Sequence, residues 1–316
     1  MKNKLDNSIK YLFILFVISI IIFSILIPDI FWSISNFQSM ASQIPILGIL
    51  TLAMAITMLS GGINLSIIAG MNTCSLIIAY YATQYNSLSY LFIGILFSFI
   101  CAIAIGLFNG VLISTIKVSP ILATLGTMTL LNGLNVLVTN GSTIANFPSS
   151  ILLLNSESII LVPLPIIIFI ILAIIIWLIL EKTTLGKYIY FIGNNEKATF
   201  YSGINTKKAI NYIYILSAVL CVFAAILMMA KLNSAKASYG DSYLLTSILA
   251  TVLGGVNPDG GRGKLIGIIL ALVLLQIIES GLNMLGISSY ITKILWGVLL
   301  IFFIFLQKNK FFSKHN

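Results

Sequence analysis

Residues able to do acid–base, nucleophilic or metal chemistry are few in this sequence and poorly spaced for it. The only histidine, His315, is the penultimate residue of a 316-residue chain, where a terminus frays unless tied down. Histidine catalysis is therefore not expected. Cys74, Cys101 and Cys221 are odd in number, widely spaced and set in apolar stretches, the pattern of small packing residues rather than of a disulfide framework or a metal site. A phosphate-binding G-x-x-x-x-G-K-[ST] loop is missing, since Gly186-Lys187 is followed by Tyr188 and Gly263-Lys264 by Leu265. Gly261-Arg262-Gly263 with Gly267 has its last glycine one residue late for a dinucleotide fingerprint, and no strand is expected before it. No cofactor is expected.

What the apolar stretches do carry is a scatter of amides and hydroxyls: Asn64, Ser66, Asn72, Asn109, Asn132, Asn135, Gln276, Ser280 and Asn283, with Glu279 as their one carboxylate. A single carboxylate is little for ion-gradient coupling, whereas amides and hydroxyls can line a weakly polar path for a neutral solute. Candidate path residues are Asn64, Ser66, Asn109, Asn132, Glu279 and Asn283. The same groups serve equally as interhelical hydrogen-bonding residues, worth about 0.6–2 kcal/mol each. In Gly61-Gly62-Ile63-Asn64-Leu65-Ser66, paired glycines end one helix, and Asn64 or Ser66 can accept the free N–H groups opening the next. Gly254-Gly255-Val256-Asn257 echoes it, at an offset that fits no simple duplication. Gly106 with Gly110, and Gly263 with Gly267, have the spacing of close helix packing.

The elements that must position these residues are membrane helices. The chain is 59% hydrophobic and 8% charged, too apolar to coat a soluble core. Ten apolar segments recur, at 11–27, 44–60, 63–82, 88–114, 119–138, 158–180, 211–231, 243–256, 264–285 and 290–306. Most are near the ~20 residues needed to cross a hydrocarbon core, and 243–256 is short enough for a half-helix or a partly re-entrant one. Lys2, Lys4 and Lys10 precede the first segment, and no small-x-small cleavage site follows it, so it reads as a retained first helix.

The expected fold class is thus an all-α integral membrane protein of about ten transmembrane helices with cytoplasmic N- and C-termini, a single domain over 1–316 embedded between 11 and 306. In that arrangement fourteen of the 17 Lys and Arg residues are cytoplasmic, all but Lys231, Lys236 and Lys293. Basic residues orient membrane proteins in this way, which accounts for the net charge of +9 without a nucleic-acid partner. The polar stretch Glu181–Asn211 becomes a cytoplasmic docking loop, and Thr139–Glu157 an outer-face loop.

Gly61 to Ser66 resembles the GGIDLS motif of ribose-type sugar permeases of ATP-binding-cassette importers, a family that also includes autoinducer-2 permeases. Further segments agree in order: Asn109-Gly110; Lys117 to Thr127; Asn140-Gly141 with Pro148; Thr184-Leu185-Gly186-Lys187; Gly193, Asn195, Ala198 and Ser202-Gly203-Ile204; Gly254-Gly255, Gly260 to Gly263, Gly267 and Gly281-Leu282-Asn283. The resemblance covers about residues 44–300. Asn64 stands where the family motif has Asp, and Thr199 replaces the second alanine of an Ala-Ala pair.

The resemblance implies a dimeric permease, homodimeric or heterodimeric, in the cell membrane. Its implied partners are an ATP-binding-cassette ATPase inside, which would hydrolyse ATP in a separate subunit, and an extracytoplasmic solute-binding protein. The solute is expected to be a small polar one such as ribose, with nucleosides or branched-chain amino acids as alternatives and a partner-free secondary transporter as the rival class. The 181–210 loop then becomes the coupling loop, with Asn195, Ala198, Ser202 and Gly203 at the positions that engage the ATPase.

Overall fold

The computed structural model describes residues 2–85, 88–159 and 162–312. It consists of helices, apart from four two-residue strands. In chain order these are α1 (Lys2–Leu26), the single turn α2 (Pro28–Phe31), α3 (Ile34–Leu59), α4 (Ile67–Tyr85), α5 (Leu88–Ser114), α6 (Pro120–Thr139), β1 (Ile144–Ala145), α7 (Ser149–Ser156), β2 (Ser158–Ile159), β3 (Val162–Pro163), α8 (Leu164–Lys182), α9 (Thr184–Tyr201), α10 (Thr206–Leu232), β4 (Ser234–Ala235), α11 (Asp241–Leu253), α12 (Leu265–Met284) and α13 (Ser289–Phe312). Each of the ten expected segments falls on a helix. Among the described residues α3, α5, α6, α8, α10 and α12 are long and apolar enough to cross a membrane. Leu12–Leu26, Asp241–Leu253 and Ser289–Ile301 are shorter apolar stretches.

Helix α3 is the axis of the bundle. It is buried without a break from Ile44 to Leu59, with α8, α10, α11 and α12 packed around it. Helix α10 bridges α3 to α4 and α5, while α6 lies outside α4 and α5, and α1 outside α12. The α5–α10 contact is backbone to backbone: a Cβ on Gly106 would lie 2.5 Å from Ile215 Cα, and one on Gly110 2.8 Å from Asn211 Cα. The Gly106/Gly110 spacing therefore does what it promised. Gly263 and Gly267 work differently, since Gly263 sits in a loop with φ +152 against Val256 and Leu59, whereas Gly267, inside α12, faces the Gly254 carbonyl. Outward faces of α5 and α8, including Phe92, Leu96, Ile100, Ile171 and Ile174, are apolar and exposed, as lipid-facing surfaces must be.

Several boundaries differ from the sequence expectation for identifiable reasons. Helix α3 begins ten residues before 44, because Ser33 caps it by accepting from Asn36 N at 3.2 Å, and Pro45 is accommodated inside it rather than starting it. The sixth segment begins at Leu164 rather than 158, because Ser158–Ile159 and Val162–Pro163 pair as an antiparallel ladder first. The expected loop at 181–210 is mostly helix: Thr183 closes α8 and caps α9 through Gly186 N at 3.3 Å, and Ser202–Asn205 separate α9 from α10. Across the bundle end, β1 pairs antiparallel with β4, Ile144 opposite Ala235, tying the 139–157 segment to the end of α10.

The two glycine pairs end their helices alike. Gly61 has φ +87 and Gly255 φ +86, and the N–H of the following residue closes onto Thr57 O at 3.0 Å and Thr251 O at 3.2 Å. This is the left-handed helix stop for which glycine is the least strained residue. The match is of Gly61 to Gly255, so the echo seen in the sequence is real but shifted by one residue.

Candidate functional site

Asn64, Ser66 and Asn109 come together in a directed chain of hydrogen bonds through the bundle. Thr127 of α6 donates to Asn109 Oδ1 at 2.6 Å, and Asn109 Nδ2 of α5 donates to Ser66 Oγ at 2.9 Å. The Ser66 hydroxyl donates to Asn64 Oδ1 at 2.7 Å, and Asn64 Nδ2 donates to Ser217 Oγ of α10 at 3.1 Å. Ser217 then donates to the Ala53 carbonyl of α3 at 2.9 Å. Every side chain in it is buried. Thr124 secures the same loop, accepting from Leu65 N and contacting Ile63 O, both at 3.1 Å. Asn64 also accepts from Ser66 N at 3.1 Å, a turn just ahead of α4, which begins at Ile67, rather than the expected cap on that helix's own N–H groups. Each bond replaces one that water cannot supply in a membrane interior.

A void of ≈ 10 Å³ beside Asn64, Ser66, Gly70, Cys74, Ala218 and Cys221 has room for about one water. These amides and hydroxyls hold five chain segments in register. Asn132 is half-buried on α6, Glu279 half-buried on α12, and Asn283 exposed near the end of α12. None of the three joins the chain. Glu279 and Lys231 of α10 influence each other electrostatically, and among the described residues no ion pair joins them. Of the other polar residues singled out, Asn135 bonds Thr73 and Ala69 O, Asn72 bonds Ala237 O, Gln276 bonds Gln43, and Ser280 bonds Asn36.

On its outward face α6 presents an open, nearly flat surface lined by Leu122, Leu125, Gly126, Thr129, Leu130, Gly133 and Leu134. A Cβ at Gly126 or Gly133 would meet nothing within 4 Å.

A second cluster forms where α3 ends. Helix α9 is interrupted at Asn195 (φ −164, ψ 103), whose side chain accepts from Ala198 N at 2.9 Å and so caps a last, separate turn. Asn195, Ala198, Ser202 and Gly203 are all exposed, as are Phe200 and Tyr201, at 58% and 86%. Gly203 has φ +84 and open space around its Cα, so it is required by the turn rather than by packing within the chain. Lys117 (φ +66), in the α5–α6 turn, pairs with Glu196 at 2.6 Å. Tyr190, in the first part of α9, donates to Gly263 O at 3.1 Å. Burial, with Glu181 nearby, pushes its phenol up to about 12, so it keeps this proton at any physiological pH.

Sequence reasoning missed Ser217, Gln43 and Asn36, and had Thr124 and Thr127 only within the family-like Lys117–Thr127 stretch, not as hydrogen-bonding partners of this chain. Single hydroxyls in long apolar runs carry no local signal, and Asn36 and Gln43 lay outside the expected second span.

Residues 36–304 match the family described as the permease component of branched-chain amino acid transport systems. The ribose import permease protein RbsC of Bacillus subtilis (strain 168) is 32% identical over 306 residues, 93% of this chain and 90% of that one. RbsC of Escherichia coli (strain K12) is 32% identical over 300 residues, covering 92% and 91%. The autoinducer 2 import system permease protein LsrD of Photorhabdus temperata is 30% identical over 294 residues, covering 91% and 87%. No solved structure matches the chain. A bundle of apolar helices held by amide and hydroxyl chains, matched from end to end by import permeases, is a multi-pass cell-membrane protein, and the chain belongs to the ribose-type sugar permease family of ATP-binding-cassette importers.

Proposed function

We propose that this permease carries a monosaccharide such as ribose, with ATP hydrolysed by a separate subunit and solute delivered by an extracytoplasmic binding protein. The supporting observation is the end-to-end similarity to ribose import permeases, joined to membrane-embedded polar groups that are amides and hydroxyls rather than paired charges. In this reading ten helices cross the membrane: α1, α3, α4, α5, α6, α8, α10, α11, α12 and α13. Both termini, the α3–α4 hinge, α9 and the 257–264 loop face the cytoplasm.

The buried relay leaves room for about one water, so the solute path runs between two copies of the permease rather than through one. The open face of α6 is the surface that fits it. Asn132 lies on the same helix, while Asn64, Ser66 and Asn109 support the helices behind it. The capped turn after Asn195, with Ala198, Ser202 and Gly203 exposed, is the contact for the ATPase. Because the family description names branched-chain amino acids and a relative carries autoinducer 2, the binding protein's ligand sets the final assignment.

The test is uptake of labelled ribose by cells carrying the permease with its ATPase and binding protein. Ala198→Arg and Gly203→Glu are expected to accumulate in the membrane yet abolish uptake. Gly203→Asn, which tolerates the left-handed backbone, separates turn strain from docking. Normal uptake by well-expressed Ala198→Arg would remove the coupling role and favour a transporter that works without an ATPase.

A further inference from the structure

Three backbone segments meet at glycines: the end of α3 at Leu59–Gly61, α9 at Gly193–Asn194, and the loop after α11 at Gly260–Gly261, with the Asn194 side chain lying against Gly261. A Cβ on Gly193 would collide with the Leu59 carbonyl oxygen and the Gly261 amide. One on Gly260 would lie 2.6 Å from the Gly61 amide nitrogen and 2.9 Å from Gly193 Cα. Hydrogen bonds fasten the same place. Gly261 N donates to Leu59 O at 2.8 Å, and Asn194 Nδ2 lies 2.9 Å from Tyr190 O and 3.3 Å from Gly261 O. Tyr190 donates to Gly263 O. At Gly193 helix α9 therefore has no side chain to absorb a displacement, and movement of Gly193 pushes directly on Leu59 O and Gly261 N.

What lies on either side gives the contact its meaning. Two residues after Gly193 the helix is interrupted at Asn195, so the 196–203 segment, exposed apart from Thr199 and the Lys117-paired Glu196, is a separate lever pivoting next to the contact. Three residues after Gly61 stands Asn64, the residue on which the buried relay from α6 to α3 turns. Gly61 and Gly255, the matching left-handed stops of α3 and α11, both flank the contact, so two helix ends can swing about glycine pivots.

We propose that this glycine contact is the transmission joint of the permease. It passes displacement of the exposed 196–203 turn to the α3–α4 hinge and to α11, making Gly193, Asn194 and Tyr190 positioning residues for energy coupling, distinct from the residues that touch the ATPase. The proposal rests on the assignment of that turn as the ATPase contact.

The experiment uses the whole assembly in proteoliposomes: permease, ATPase and binding protein, with ribose as the probe. Asn194→Ala with Tyr190→Phe removes the side-chain ties without adding bulk, and Gly193→Ala wedges the backbones apart. Both are expected to copurify with the ATPase as the native chain does, while ribose imported per ATP hydrolysed falls on the order of tenfold, the scale of an ordinary coupling between sites. Should Gly193→Ala fail to accumulate, the double variant decides alone. A native ratio of import to hydrolysis in the double variant would overturn the joint, and so would loss of the ATPase from it, since those residues would then be contacts. If instead the native chain does not retain the ATPase, or Ala198→Arg imports normally, it is the underlying coupling assignment that fails.

Discussion

Asn64 shows why residue identity matters inside this bundle. A carboxylate at that position could accept from Ser66 but could not donate to Ser217, whereas the amide does both. Replacing it by leucine strands the Ser66 hydroxyl and the Ser66 N–H, each costing about 1–3 kcal/mol when buried. Asn109→Leu strands less, because Ser66 keeps its acceptor and Thr127 turns to Ala123 O, 3.0 Å away. Thermal unfolding in detergent should therefore rank Asn64→Leu well below Asn109→Leu, and the reverse order would contradict the relay. Tyr214 is the converse case. Its hydroxyl is buried against Gly62 and has no hydrogen-bond partner among the described residues. Tyr214→Phe removes a desolvated polar group and should leave the unfolding temperature unchanged or raise it, where loss of a working hydrogen bond would lower it by about 1 kcal/mol equivalent.

Among the elements, the α5–α10 contact sets the tightest geometric condition. With Ile215 Cα and the Tyr214 carbonyl oxygen 2.5 and 2.7 Å from a Cβ at Gly106, a valine there meets backbone that cannot rotate away. Overpacking of this kind costs about 1–3 kcal/mol or more. Gly106→Val should reduce the amount of folded permease recovered in mild detergent, read by size-exclusion fluorescence of a tagged chain. Gly126→Ala on the open face of α6 should be recovered like the native chain, with about 0.5–1 kcal/mol of helix propensity in its favour. Equal behaviour of the two would mean that α5 and α10 are not in backbone contact.

At the scale of the whole molecule, orientation ties the parts into one machine. If α9 faces the cytoplasm and the 139–157 segment the outside, a cysteine at exposed Ser149 should react with an impermeant thiol reagent in intact cells. One at exposed Lys197 should react only after permeabilisation. Both belong in a chain lacking Cys74, Cys101 and Cys221, of which Cys74 and Cys221 are buried. The opposite labelling pattern would invert the bundle and detach α9 from any ATPase.

The sequence by itself determined that this chain lives in lipid, where the apolar centres of its helices run, and which family it joins, but not the early start of α3 or the existence of α9. Hydropathy, basic-residue bias and glycine motifs are local in the chain and survive without coordinates. It also marked Gly61–Gly62 as a helix stop, because that depends on neighbours a few residues away. Tertiary structure alone decided which polar residues act together. Asn64 and Ser217 are partners across 153 positions, and Leu59 O and Gly261 N meet across an even longer separation, so no pattern along the chain announces either contact. The three-way meeting of Leu59–Gly61, Gly193 and Gly260–Gly261 likewise became visible only in space. A glycine in sequence declares freedom from a side chain, and only the packed bundle shows which backbone comes to occupy the room it leaves.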